Sequence, residues 1–431
     1  MGWSNWQSVD GIVHRVNRKF TGFFKSLGPG VITGAADDDP SGIATYSIAG
    51  AQLGTSLLWT AFVTWPLMAV VQMMCARIGM VTGEGLGGAL RKKFPRWLVI
   101  LFSLALLIAN TINVGSDLSG MADAGQMLSG FSSHYFVIIF AVLITIAIIR
   151  FRYRQIADVL KWLCLVLFAY VITAFLVVTD WKSLLHDAFV PSWPRSHEAS
   201  STLVAILGTT ISPYLFFWQA SQEVEEEKTQ GERTLKQRQG STAKELAMRR
   251  MDVGIGTFAS NLVMFFIIIV TAATLHKHGI TKIETSKQAA EALRPLAGEF
   301  AYLLYTAGII GVGCLAIPVL DGSAAYALAE TFNWHQGIDK HFKGARGFFT
   351  VIIFSATVGV LLDFLKVNPI KALYWTAIVN GLLAPFLLIG ILLVSSDKEI
   401  MRKQMPSKLS FILLVLVTLL MFCAAIGMFV F

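Results

Sequence analysis

Asp37, Asp38 and Asp39 stand together with Pro40, Ser41 and Gly42 inside a stretch that is otherwise hydrophobic from Val31 to Leu58. A chain with this feature has few ways to fold. Ionisable side chains at membrane depth are costly unless they are paired, hydrated or bound to a cation. Proline lacks a backbone donor and glycine loosens the backbone, so a helix is predicted to break beside the carboxylates. Open backbone at that depth is tolerated only where it lines a cavity or is covered by protein. From Gly28 to Asp38 the chain spans about 16 Å at the helical rise, which puts the break near the middle of the hydrocarbon core. Half-helix ends there offer carbonyls to a cation, and adjacent carboxylates favour a hard, oxygen-seeking one.

The remainder of the chain supports an all-α integral membrane protein. Of its 431 residues, 55% are hydrophobic and only 14% charged. Soluble proteins carry roughly 25% charged residues. Apolar windows of about 20 residues predict spans near 28–53, 56–79, 97–128, 134–150, 158–179, 201–222, 252–275, 300–321, 347–364, 372–394 and 408–430. With a cytoplasmic N-terminus, 27 of the 35 Lys and Arg residues fall on the cytoplasmic side, as the positive-inside rule expects. Eleven spans then put the C-terminus outside the plasma (inner) membrane. The net charge of +8 reflects this orientation and gives no reason to expect nucleic acid as a partner. Residues 1–25 lack the apolar core of a cleavable signal, and 9–24 fit either an interfacial amphipathic helix or a juxtamembrane tail. Cys75, Cys164, Cys314 and Cys423 lie singly in apolar spans, as small core residues do.

The chain divides into a tail (1–27), five spans (28–180), a polar loop (181–200), five more spans (201–394), and a loop with an eleventh span (395–431). Each group of five opens on an interrupted span. The first break is Asp39-Pro40-Ser41-Gly42; the second is Gly208-Thr209-Thr210-Ile211-Ser212-Pro213-Tyr214. Paired interruptions at corresponding places point to a transporter site between inverted repeats.

These residues carry a resemblance. Gly28-Pro29-Gly30, Asp39-Pro40, Ala44-Thr45 and the run from Gln72 to Gly83 (QMMCARIGMVTG) resemble the natural resistance-associated macrophage protein (Nramp) metal transporters over about residues 25–430. The resemblance implies a leucine-transporter-like fold, with two inverted five-helix repeats, broken helices 1 and 6, and an extra C-terminal helix. It also implies a metal site. The family's first motif is Asp-Pro-Gly-Asn, and here it reads Asp39-Pro40-Ser41-Gly42, keeping the Asp ligand and losing the Asn. The second motif, Ala-x-x-Met-Pro-His, becomes Thr209-Thr210-Ile211-Ser212-Pro213-Tyr214, and a further histidine becomes Gln219.

Thioether sulfur favours transition metals, whereas carboxylate, hydroxyl and carbonyl oxygens suit magnesium, calcium or manganese. The altered ligands resemble those of Nramp-related magnesium transporters. The expected function is therefore Mg2+ uptake, with Mn2+ also carried, by alternating access and with weak or no proton coupling. The expected metal residues are Asp39, Gly42 (as room for water), Thr209 and Ser212. All eight histidines lie in tails, loops or span ends, which removes the usual group titrating near neutral pH. Asp117 falls about where the family has a proton-pathway glutamate. The alternatives are proton-coupled Mn2+/Fe2+ symport and, on the same fold, symport of an organic substrate such as an amino acid. No enzyme activity, resident cofactor or obligate protein partner is expected beyond the divalent ion and the lipid bilayer.

Other polar residues have two readings each. Asp37 and Asp38 line a vestibule or are solvated. Thr209 and Ser212 bind metal or bond back one turn. Tyr214 and Gln219 pack or serve the pathway. Asn261 and Asn380 bond between helices or touch the ion's water shell. Structural pairing is the default for Asp117 and Asp123. The run Glu223, Glu225, Glu226 and Glu227 reads as a solvated face. Gly83, Gly85, Gly87 and Gly88 lack the lysine and strand of a nucleotide-binding loop, which excludes an ATPase.

Overall fold

The computed structural model describes residues 29–152, 155, 165–194, 196–365, 367–402 and 404–430. The tail 1–27 with its amphipathic stretch, and the predicted fifth span before residue 165, lie outside these residues. Regular structure among the described residues is helical. The first predicted span is two half-helices, α1 (Pro29–Asp37) and α2 (Pro40–Leu53). Then follow α3 (Thr60–Thr82), the short α4 (Leu86–Lys93), α5 (Arg96–Ser129), α6 (Ser133–Arg150), α7 (Phe168–Val177) and α8 (Trp181–Phe189). The sixth predicted span is also two halves, α9 (His197–Thr210) and α10 (Pro213–Thr229). Helices α11 (Ala243–Thr274), α12 (Ala301–Phe332), α13 (Arg346–Asp363), α14 (Pro369–Ser395) and α15 (Lys408–Val430) complete the bundle.

Nine of these segments, counting α9 and α10 as one, are long and apolar enough to cross a membrane. The two halves of the first predicted span, and the shorter apolar segment Leu165–Val177 within the fifth, are not of that length among the described residues. Both breaks are built alike: an extended residue caps the second half, and proline follows as its first helical residue. Proline suits that position because the amide it lacks would have no partner there.

The two broken spans meet at the centre of the bundle. Helix α11 packs along α1, α2 and α3, α10 lies between α3 and α12, and α9 packs on α14. The most extensive contact is between α5 and α12. Close approach depends on glycine at two crossings. A Cβ on Gly34 or Gly256 would overlap the facing backbone, and one on Gly208 would strike Ala377 O and Gly381. Gly256→Val should therefore destabilise the bundle by at least about 1–3 kcal/mol, the usual range for overpacking. A lower thermal midpoint in detergent is the expected readout, and an unchanged one would contradict this packing.

Candidate functional site

The carboxylate of Asp39 caps α2. Its Oδ1 accepts from Gly42 N and from Ser41 Oγ, both at 2.7 Å, and its Oδ2 accepts from Asn113 Nδ2 of α5 at 3.2 Å. Asp37 and Asp38 share one donor: Ser260 Oγ of α11 lies 2.6 Å from Asp37 Oδ2 and 3.1 Å from Asp38 Oδ1. Asp37 Oδ1 has no hydrogen-bond partner. Asp117, on the same helix as Asn113, is fully buried with neither oxygen hydrogen-bonded, close enough to Asp39 for the two charges to interact. Four buried carboxylates thus crowd one break, and the donors that face them are hydroxyls, an amide side chain and backbone N–H groups.

The second break faces the first. Pro213 cannot donate to Thr209 O, and Ser212 fills that gap. Its hydroxyl donates to Thr209 O at 2.5 Å and to Gly208 O at 2.7 Å. Thr209 Oγ1 donates to Ile206 O at 3.0 Å and lies 3.1 Å from the Tyr46 hydroxyl of α2. Both hydroxyls proposed as ligands are therefore turned back on their own helix in this conformation. Tyr214 donates to Ala36 O at 3.2 Å, covering a free carbonyl at the end of α1. A Cβ on Gly42 would lie in ordinary contact with Tyr46, Asp37 O and Asp39, so the position would take a methyl group but is closely lined. Among the described residues no three His, Cys, Asp or Glu side chains converge as a metal cage.

The remaining candidates separate. Asn261 accepts from Thr64 Oγ1 at 2.6 Å and donates to Thr257 O at 2.9 Å, linking α11 to α3. Asn380 is buried on α14, next to the Gly381 that receives Gly208, and its Oδ1 has no partner. Gln219 is drawn away from the break, its Nε2 donating to Glu223 at 2.6 Å. Asp123 accepts from Ser286 N at 3.2 Å, the structural role expected. Asp117 lies beside the Ser41 amide, but neither of its oxygens receives a well-formed hydrogen bond.

Glu223 opens a latch that overturns the solvated reading of the acidic run. Arg249 of α11 donates to Glu223 at 2.8 Å, Glu226 at 2.5 Å and Asp252 at 2.6 Å. Asp252 also accepts from Gly30 N at 2.8 Å and Val31 N at 3.3 Å, capping α1. Glu225 pairs with Lys228 at 2.8 Å. The run looks solvated in the sequence because its counter-charge, Arg249, is more than twenty residues away. At the same end of the bundle, outside the spans, a hydrogen bond from Lys93 holds the Asp397 carboxyl below the usual carboxylate range.

Four neighbours of the site escaped the sequence reading: Asn113, Tyr46, Ser260 and Gln72. Gln72 is buried on α3 against Ile211 and Ser212, and both ends of its carboxamide lack partners. The available signal was a polar side chain inside an apolar span, which marks a residue without saying what it faces.

The profile of a family described as natural resistance-associated macrophage protein-like matches residues 30–431. The chain is 26% identical over 401 residues to the divalent metal cation transporter MntH of Caldanaerobacter subterraneus subsp. tengcongensis, covering 92% of this chain and 90% of that protein. A crystal structure of the Eremococcus coleocola manganese transporter, in complex with an aromatic bis-isothiourea substituted compound, superposes with a TM-score of 0.74 at 16% identity, over 94% of this chain and 88% of that one. The inward-facing conformation of Mhp1 superposes with a TM-score of 0.54 at 16% identity, over 93% and 90% of the two chains. These likenesses show the leucine-transporter-like fold.

Proposed function

Since the chain belongs to the Nramp family, and is thus a multi-pass membrane transporter of divalent metal cations and not an enzyme, we propose that it carries Mn2+ and Fe2+ together with protons, through the space between the two helix breaks. The carrying observation is the set of four buried carboxylates, Asp37, Asp38, Asp39 and Asp117, at one break. Carboxylates crowded in low dielectric share protons when no cation is present, and a dication arriving among them displaces those protons. Metal and proton movement are linked by that exchange. Asp39 is the central charged ligand, with carbonyls freed at Ala36, Gly208 and Thr209 as further oxygen donors once their hydroxyl partners turn away. A carboxylate-rich wall repels the carboxylate of an amino acid, which disfavours the organic-substrate reading. The Lys and Arg bias supports a cytoplasmic N-terminus and an outside C-terminus in the plasma membrane.

The expected Mg2+ preference has no support in the named relatives, whose Mn2+ and divalent-metal descriptions fit the alternative better. One observation keeps Mg2+ as a second reading: neither sulfur nor imidazole occupies Ser212, Tyr214 or Gln219. Oxygen donors without sulfur or imidazole suit Mg2+ as well as Mn2+. Purified protein in liposomes with internal metal and pH indicators separates the two. Mn2+ and Fe2+ entry with internal acidification is the expected result. Mg2+ entry that outruns Mn2+, with no acidification, would favour the second reading.

A further inference from the structure

A basic pair at the cytoplasmic end of the bundle has no counter-charge. Arg77 of α3 is half-buried, and among the described residues its guanidinium makes one hydrogen bond, to Gln404 O at 3.3 Å. Arg250 of α11 is exposed and stands close enough to Arg77 for the two charges to repel. Among the described residues no carboxylate pairs with either one.

The carboxylates on the adjoining stretches are committed elsewhere. Glu223, Glu226 and Asp252 gather on Arg249. Glu245 accepts from Thr242 N at 2.7 Å and from Ser241 Oγ at 3.0 Å, capping the start of α11. Like charges at close range repel, and nothing in the protein offsets that here, so the pair calls for an anion. Its depth says which kind. The apolar windows of α3 and α11 end at residue 79 and begin at residue 252. Arg77 and Arg250 therefore lie within about 3 Å of the edge of the hydrocarbon, at the helical rise. Lipid head groups occupy that level.

From the pair an apolar groove runs into the membrane between the two helices. On α3, Trp65, Ala69, Met73 and Arg77 follow one another at four-residue spacing. On α11, Arg250, Gly254 and Phe258 do the same, so each set forms one ridge. None of these residues is fully buried. The ridges meet where the Trp65 and Phe258 rings pack edge to face, with centroids 5.0 Å apart. On the cytoplasmic side of that contact, a Cβ on Gly254 would meet nothing within 4 Å, so the glycine keeps the space between Phe258 and Arg250 open. From Arg250 to Phe258 is about 12 Å along α11. Met248 and Met251, beside Arg250 in the chain, are 54% and 63% exposed, as on a helix flank that faces lipid.

We propose that Arg77 and Arg250 clamp the phosphate of an anionic phospholipid from the cytoplasmic leaflet, with one acyl chain lying in the groove past Gly254 towards Trp65 and Phe258. Guanidinium forks match phosphate oxygens, and basic pockets between spanning helices on the cytoplasmic side suit acidic head groups. The bound phosphate joins α3 to α11 one residue from Arg249, and so steadies the end of α11 that carries the latch. The site holds whichever metal is carried. It uses only the cytoplasmic placement of this end, which the Lys and Arg bias supports.

Delipidated protein in detergent, titrated with dioleoyl phosphatidylglycerol and followed by native mass spectrometry, tests this. The wild type should bind one such lipid more tightly than any further copies, and more tightly than dioleoyl phosphatidylcholine. Arg77→Gln and Arg250→Gln should each weaken that binding by about fivefold or more, the share expected of one basic residue near an anionic surface. Gly254→Leu fills the groove without altering charge and should weaken it as well. Lys236→Gln removes one exposed charge from the stretch between α10 and α11 and should leave it unchanged. Undiminished binding in either arginine variant, or an equal loss in Lys236→Gln, overturns the proposal. Full binding in Gly254→Leu counts against the acyl chain in the groove. If inorganic phosphate displaces the lipid at a similar concentration, the pair is a site for free phosphate and the lipid assignment falls. Should Arg77→Gln fail to fold, Arg250→Gln and Gly254→Leu decide, because Arg250 is exposed and Gly254 faces open space.

Discussion

Replacing Asp39 with alanine is expected to weaken Mn2+ binding by about 100-fold or more, equivalent to about 3 kcal/mol, and to abolish uptake. Two effects combine in that variant, because Asp39 also caps α2 through Gly42 N and Ser41. Losing a cap costs about 1 kcal/mol. Asp39→Asn separates them, since asparagine caps as well as aspartate but brings no charge. The Asn variant should keep most of the thermal stability that alanine loses and still fail to bind Mn2+ in isothermal titration. Wild-type affinity in Asp39→Asn would reduce Asp39 to a capping residue.

Arg249→Leu has the next largest expected effect. It leaves Glu223 and Asp252 buried without their cation, at 2% and 6% side-chain exposure. Removing one partner from such a network costs about 3–5 kcal/mol. Much of that cost is relieved if α1 leaves Asp252 and the carboxylates reach water. The variant should thus populate a form with α1 released and transport poorly. A cysteine at Val31 should react with a thiol reagent at least about tenfold faster in that background, whereas equal rates would mean that the latch does not hold α1. Arg249→Lys should rescue only in part, because one ammonium lacks the planar fork that meets three carboxylates at once.

The helices were legible wherever hydrophobic runs were long, and both breaks were legible because proline and polar residues interrupt such runs. The site was legible on one side only. Asp39 could be singled out from its neighbours, but Asn113 and Ser260 are distant in sequence and become partners only through helix packing. The hydroxyls of Thr209 and Ser212 illustrate another limit: composition offers them as ligands, whereas their rotamers turn them onto Ile206, Gly208 and Thr209. Glu223 was misread for the same reason as Asn113, its partner lying on another helix.

The Ser212 hydroxyl occupies the carbonyls of Gly208 and Thr209, which the proposed function gives to an arriving ion. Affinity measured at equilibrium therefore includes the fraction of time that this rotamer is released, and it is lower than the intrinsic affinity by that fraction. A side chain of this kind acts as a competitive occupant belonging to the protein. It keeps the oxygens satisfied while the path is empty, and it exacts a toll from every ion alike. Discrimination between metals must then come from what happens after the hydroxyl has moved, in how many waters each ion gives up to the exposed oxygens.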